Sequence, residues 1–343
     1  MYLRTSALVL LAAVCTIAAG PAAADPILPT GNGLPDPVAP PGTVTVADGV
    51  VPPAQAAPVL LPGTIDLPCA GSTLRQHATW YLPEGRPRGL VWVQHGFARA
   101  DGNVAELAES LSAAGYLVFA PSLPFLNLDG CTLQNLGDNT AFLDGVAELF
   151  ATADDPAGPL AADLAAAAAA AGRIAPPLPR QFVFVGHSAG AEAVEYVAHH
   201  LHTDSPTGWT GLRGLILLDP VKSFLGNNTD VALTDLDSTA LPIHAVAGPP
   251  GLCNNFGSGT TALQTLLHRD IVGVRLPAGE HTDAEGASSD LVGELACGAP
   301  TPMNTVAVRS LTTEWAGDYF AGTASAPNDA AAAAGAQVLT GAK

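Results

Sequence analysis

Short apolar runs alternate with longer amphipathic stretches through the middle of the chain. The runs at 90–94, 117–120, 182–185, 214–218, 243–247 and 271–276 are nearly continuous in Leu, Ile, Val, Ala and Phe, the pattern of strands buried on both faces. Helical periodicity fills the intervals at 104–114, 140–152, 160–171, 189–201 and 260–268. This alternation predicts an α/β fold with a mostly parallel central sheet and helices on both faces, joined by right-handed crossovers. The alanine run at 165–171 fits a surface helix, because alanine is the strongest helix former. No internal repeat is present.

Outside this middle part the pattern changes. Arg4, an apolar stretch at 7–14 that continues to Ala19, and Ala22-Ala23-Ala24 before Asp25 predict an export signal over 1–24, cleaved after Ala24. Residues 25–70 are rich in Pro, Gly and Ala and are expected to form an extended arm or linker. Residues 71–322 are expected to form the one catalytic domain, and 323–343 an Ala- and Gly-rich tail.

Composition narrows the function. Hydrophobic residues make up 48% of the chain and charged residues 13%, enough apolar material for a buried core without help from a metal or cofactor. A formal charge of −18 with only 13 scattered Lys and Arg argues against nucleic acid, whose phosphates need clustered cations. Beyond the leader no segment has the length and purity of a membrane span, and a monomer is expected. Of five cysteines, Cys15 falls in the leader, where bulky Val14 argues against a lipid-modified site. Cys69, Cys131, Cys253 and Cys297 remain, an even number in a chain bound for an oxidising compartment, secreted or in the cell envelope. Three pairings are open, as are free thiols. The favoured pairing is Cys69 with Cys131 and Cys253 with Cys297, the second bracing the loops around His281.

The chemistry is carried by Gly186-His187-Ser188-Ala189-Gly190, which follows the apolar run Phe182-Val183-Phe184-Val185 and opens a predicted helix. A G-x-S-x-G pattern is weak alone; between strand and helix its glycines permit a tight turn that lifts the serine above the sheet edge. A serine hydroxyl needs a base, and the base an acid to orient it. In an open parallel sheet reacting groups collect where strands end. Of nine histidines, His281 alone follows the final predicted strand; His268 precedes that strand, His244 lies within one, and His199, His200 and His202 sit at the far end of the helix after the serine. Asp219 ends the run Leu215-Ile216-Leu217-Leu218, whereas Asp235 and Asp237 precede a strand; Asp283 is the reserve acid. Backbone N–H groups of Ala189 and of Phe97, in His95-Gly96-Phe97, are the expected oxyanion donors. His95 and His187 are expected to support the site without reacting. Residues 123–130, with Phe125 and Leu126, fit an apolar wall or ordinary core packing.

Gln94-His95-Gly96-Phe97, the Ser188 pentapeptide, Leu218-Asp219-Pro220-Val221 and His281 together resemble the chlorophyllase-like branch of the α/β-hydrolases, related to bacterial cutinase-like and lipase-like polyesterases. The resemblance spans about residues 74–320 and implies the same Ser, Asp, His order. Ala189 stands where plant chlorophyllases resemble one another in having Arg, which points away from chlorophyll. The expected activity is cleavage of a carboxylic ester, in a lipid, small ester or polyester, through an acyl-enzyme. Two rivals use the same residues differently: an exported acyltransferase, in which an alcohol replaces water, and a non-catalytic envelope or binding protein. A metal site at His199-His200-x-His202 with Asp204 is set aside because adjacent helical side chains diverge by about 100°. Gly257-Ser258-Gly259 lacks the lysine of a phosphate loop.

Overall fold

A computed structural model describes residues 58–343; the expected leader and the expected arm up to residue 57 lie outside the described residues. Nine strands form one sheet: β1 (Val59–Cys69), β2 (Ser72–Leu82), β3 (Leu90–Gln94), β4 (Leu117–Pro121), β5 (Phe182–His187), β6 (Leu212–Leu218), β7 (Ile243–Ala247), β8 (Gly273–Arg275) and β9 (Gln337–Leu339). Their order is β1-β2-β4-β3-β5-β6-β7-β8-β9. Pairs β1/β2, β2/β4 and β8/β9 are antiparallel and all the others parallel. The helices are α1 (Ala105–Ala113), α2 (Thr140–Ala151), α3 (Pro159–Ala170), α4 (Ala189–Asp204), α5 (Pro206–Gly211), α6 (Asn228–Asp237), α7 (Ser258–Leu266), α8 (Leu291–Cys297), α9 (Pro302–Ala321) and α10 (Asp329–Ala333).

The continuous apolar strands are buried on both faces, as their composition requires. Trp92, Phe184 and Leu217 point to one side and pack with residues of α2, α3, α4, α6 and α7. Their neighbours Val91, Val93, Val185, Ile216 and Leu218 point to the other side, toward α1 and α9. Trp92 stacks on Phe150 at 5.0 Å and meets Phe184 edge-on at 4.9 Å. Each such fully buried side chain contributes about 1.5–3 kcal/mol of transfer free energy. This is the expected α/β fold, a mostly parallel central sheet with helices on both faces. Its register also places the site: Gln94 pairs with Gly186 and His187 with Leu218, so β3, β5 and β6 end at one level.

Two expected boundaries need correction. Residues 59–69, read as the end of the arm, form edge strand β1, in which Leu61, Ile65, Leu67 and Cys69 are buried. Pro62, Gly63 and Pro68 hid that alternation; proline is tolerated on an edge strand. Buried Asp163 secures β1, accepting from Thr64 N–H at 2.8 Å and from Trp80 Nε1 at 2.7 Å. The expected tail likewise contains α10 and β9, which covers the other edge of the sheet and buries Leu339. Both expected disulfides are present: Cys69–Cys131 joins β1 to the segment after β4, and Cys253–Cys297 joins the segment after β7 to α8.

Candidate active site

Ser188 sits between β5 and α4 with φ 56° and ψ −124°, a conformation costly for a residue with a side chain. Its surroundings enforce it. A Cβ at position 186 would lie 2.5 Å from the Gly190 carbonyl oxygen, and one at position 190 would lie 2.4 Å from that of His95. Helix and strand therefore approach only because both positions are glycine. Gly96 does the same for the neighbouring loop: a Cβ there would fall 2.7 Å from the Ser188 Cβ.

The structure brings Ser188, His281 and Asp219 together. Ser188 Oγ is 2.9 Å from His281 Nε2, and His281 Nδ1 is 2.5 Å from Asp219 Oδ2. With the Nδ1 proton donated to the carboxylate, Nε2 is left to accept from the serine hydroxyl. Asp219, itself at φ 41°, directly follows β6, and its other oxygen accepts from Gly248 N–H at 2.9 Å and Asn254 Nδ2 at 3.2 Å. Burial alone would push the Asp219 carboxyl up; the hydrogen bond and charge interaction with His281, then Gly248 and Asn254, outweigh it and hold the group below its ordinary range. Asn254 had no sequence signal. Its own oxygen accepts from Gly251 and Gly257 N–H, which fixes the amide's orientation.

The other sequence candidates are engaged elsewhere. Asp283 accepts from the N–H groups of Glu280 and Thr301. His268 pairs with Asp237, and His244 with the Tyr319 hydroxyl. His199 and His202 both face Asp235, at 2.8 and 2.9 Å, while His200 turns to Asp144. His187 Nε2 donates to the His281 carbonyl at 2.9 Å, and His95 Nδ1 donates to that of Gly96 at 2.8 Å. Burial, then the nearby His281, lowers the His187 ring to about 3, and burial lowers His95 to about 4. Both rings stay neutral and hold backbone.

Along one wall of the site lies a partly buried ion pair that the sequence did not signal. Arg99 Nε and Nη2 meet the two oxygens of Glu285 at 2.8 and 3.0 Å, and Nη1 reaches Asp290. It ties the loop after β3 to the loop carrying His281. Burial raises the Glu285 carboxyl, partly offset by Arg99.

Two cavities flank Ser188. One, of about 300 Å³, runs between Phe97, Arg99, His281, Val292 and the Cys253–Cys297 pair; the other, of about 340 Å³, is lined by Phe97, Leu136, Val221, Phe224 and Leu252. Phe97 and Cys253 belong to both. Ala189 opens α4, so its N–H has no partner in the helix ladder. A larger cavity, about 810 Å³, opens at the opposite sheet edge around His202, Trp209 and Arg213. Size does not identify the site: among the residues lining that cavity no serine is hydrogen-bonded to an imidazole.

No family model matches the chain, and no curated protein does. Solved structures similar in fold include a dienelactone hydrolase from Anabaena variabilis, 15% identical over 76% of this chain and 97% of that one, with a TM-score of 0.46. Fungal esterases from Rhizomucor miehei are represented at 12% identity over 78% of this chain and 86% of theirs, with a TM-score of 0.48. A thermostable carboxylesterase cloned from a metagenomic library is 15% identical over 55% of this chain and 56% of its own, with a TM-score of 0.33.

Proposed function

We propose that the protein is an exported serine hydrolase that cleaves carboxylic esters through an acyl-enzyme. The observation that carries this reading is the continuous hydrogen-bonded relay from Ser188 Oγ through the His281 ring to Asp219, on the floor of two largely apolar cavities. His281 Nε2 takes the hydroxyl proton as Ser188 Oγ attacks the ester carbonyl, and Asp219 stabilises the resulting imidazolium. The N–H groups of Phe97 and Ala189 receive the oxyanion. His281 then passes the proton to the departing alcohol, and water, activated by the same ring, releases the acid. The resemblance of Gln94–Phe97, the Ser188 pentapeptide and Leu218–Val221 to the chlorophyllase-like branch of the α/β-hydrolases, with its cutinase-like and lipase-like polyesterases, supports this reading. Export is supported by the leader pattern over 1–24 and by the two disulfides. No helix among the described residues is long and apolar enough to cross a membrane.

The test compares wild type with Ser188→Ala on p-nitrophenyl esters from acetate to palmitate, with a fluorophosphonate label in parallel. Labelling and turnover are expected in the wild type, and the variant is expected to lose labelling and at least about 10⁴-fold in kcat. A folded wild type that is not labelled overturns the reading in favour of a binding protein. Added alcohol separates hydrolysis from acyl transfer by the product formed.

A further inference from the structure

The cavity of about 340 Å³ beside Ser188 lies between two irregular segments, one contributing Gln134, Asn135 and Leu136, the other Val221, Phe224 and Leu225. Neither has a helix or strand ladder of its own at these positions, so something else must set their separation. One turn along α4 from Ser188, behind both segments, lies Glu192, 1% exposed. One of its oxygens accepts from Asn135 N–H at 3.1 Å and from the Ser223 hydroxyl; the other accepts from Ser223 N–H at 2.8 Å and the Thr229 hydroxyl at 3.2 Å. All four hydrogen-bonding partners are donors, which suits a carboxylate; burial raises the Glu192 carboxyl, and the bonds from Ser223, Asn135 and Thr229 pull the other way.

A second chain of bonds joins the same two segments. Asn135 Nδ2 donates to Asn228 Oδ1, Asn228 Nδ2 to Asn139 Oδ1, and Asn139 Nδ2 to the Thr132 carbonyl, each at 2.8 Å. Asn135, Ser223 and Asn228 are each no more than 5% exposed. Water therefore does not reach most of this network, and the loss of one partner leaves others unpaired. The Glu192 side chain does not line the cavity, and none of its hydrogen bonds goes to Ser188. It acts through the walls.

We propose that Glu192 is the positioning residue that sets the spacing of these two walls, and through them the preference of Ser188 for esters whose aliphatic acyl group extends into this cavity. This rests on the serine esterase reading. On this proposal an acetyl group stays at Ser188 and does not sense the walls, whereas a medium-length acyl chain lies between Leu136, Val221, Phe224 and Leu225.

The experiment measures kcat and KM of wild type, Glu192→Gln and Ser223→Ala on p-nitrophenyl acetate and decanoate, with fluorophosphonate labelling and a thermal melt of each. For Glu192→Gln the ratio of decanoate to acetate kcat/KM is expected to fall about tenfold or more, mainly through KM, a change of the size that pocket misfit produces. Ser223→Ala removes one donor and leaves α4 intact; its ratio should fall about threefold. A proportional loss on both esters overturns the proposal, since that is a general loss of folded protein; so does an unchanged ratio. If Glu192→Gln does not fold, Ser223→Ala decides alone. A folded wild type that neither labels nor hydrolyses either ester defeats the esterase reading and this inference with it; a wild type active on both leaves that reading standing whatever the variants do.

Discussion

The two edges of the sheet are built on different terms. At the edge where the parallel strands begin, connections such as 114–116 and 238–242 are short. Polar groups there are satisfied locally: Arg269 caps the carbonyls of Leu241 and Leu236, and Asp235 receives both His199 and His202. At the edge where the strands end, segments such as 122–139 and 276–290 are long. Ala98, Ser188, Asp219, Asn255 and Phe256 there all hold positive φ without being glycine. Leu252 and Phe224 stand 82% and 80% exposed beside the Ser188 cavities. At the edge where the strands end, strain and exposed apolar surface are held in place by the Cys253–Cys297 bond, the Arg99–Glu285 pair and Glu192. Strain and exposure of this kind persist only where surrounding structure over-determines them.

Four variants sharpen that contrast. Asp219→Asn, at the strained edge, keeps the shape of the relay and, on the proposed mechanism, removes the charge that would stabilise the imidazolium; kcat on a soluble ester is expected to fall about 10⁴-fold with little change in the thermal melt. Replacing either cysteine pair by serine is expected to cost about 2–5 kcal/mol in denaturant unfolding. Only loss of Cys253–Cys297 should also depress kcat, because Cys253 adjoins Asn254, which holds Asp219. Equal kcat in the two cysteine variants would break the comparison. At the other edge, Asp235→Asn is expected to leave kcat unchanged and to cost under about 1 kcal/mol, the range of partly exposed pairs. Burial raises the Asp235 carboxyl, but His199 and His202 outweigh this and lower it on balance. Its stabilising contribution is therefore complete above the unfolded value near 4 and disappears as pH falls through the lowered folded value, so the wild-type and variant stability curves should converge in acid.

What the sequence disclosed follows the same division. β3 and β7 were legible to the residue because a strand buried on both faces is written as an uninterrupted apolar run. Ser188, Asp219 and His281 were legible as neighbours because each follows a strand, and parallel strands deliver their ends to one edge. β1 was not, since its prolines and Gly63 mask the alternation that its burial later displays. Arg99 and Glu285 lie 186 residues apart, and no local pattern announces such a pairing. The same holds for Asn254 and for Glu192, whose partners come from three separate segments. Helix α9 escaped notice for another reason: its buried positions include Asn304, Thr305 and Thr312, so the stripe facing the sheet is not uniformly apolar.

The network around Glu192 also bears on how such a chain can diverge. Ser188, Asp219 and His281 hang from strand ends, while the cavity walls hang from one carboxylate shared between two loops. A change of the Asn135 side chain alone strands the Asn228 amide oxygen, while the bonds to Glu192 and Ser223 come from the Asn135 backbone N–H and survive, so inherited variation at 135 and 228 should arrive in matched sets. On the proposed esterase reading, relatives that accept different esters should differ at these two positions together, with Ser188, Asp219 and His281 untouched.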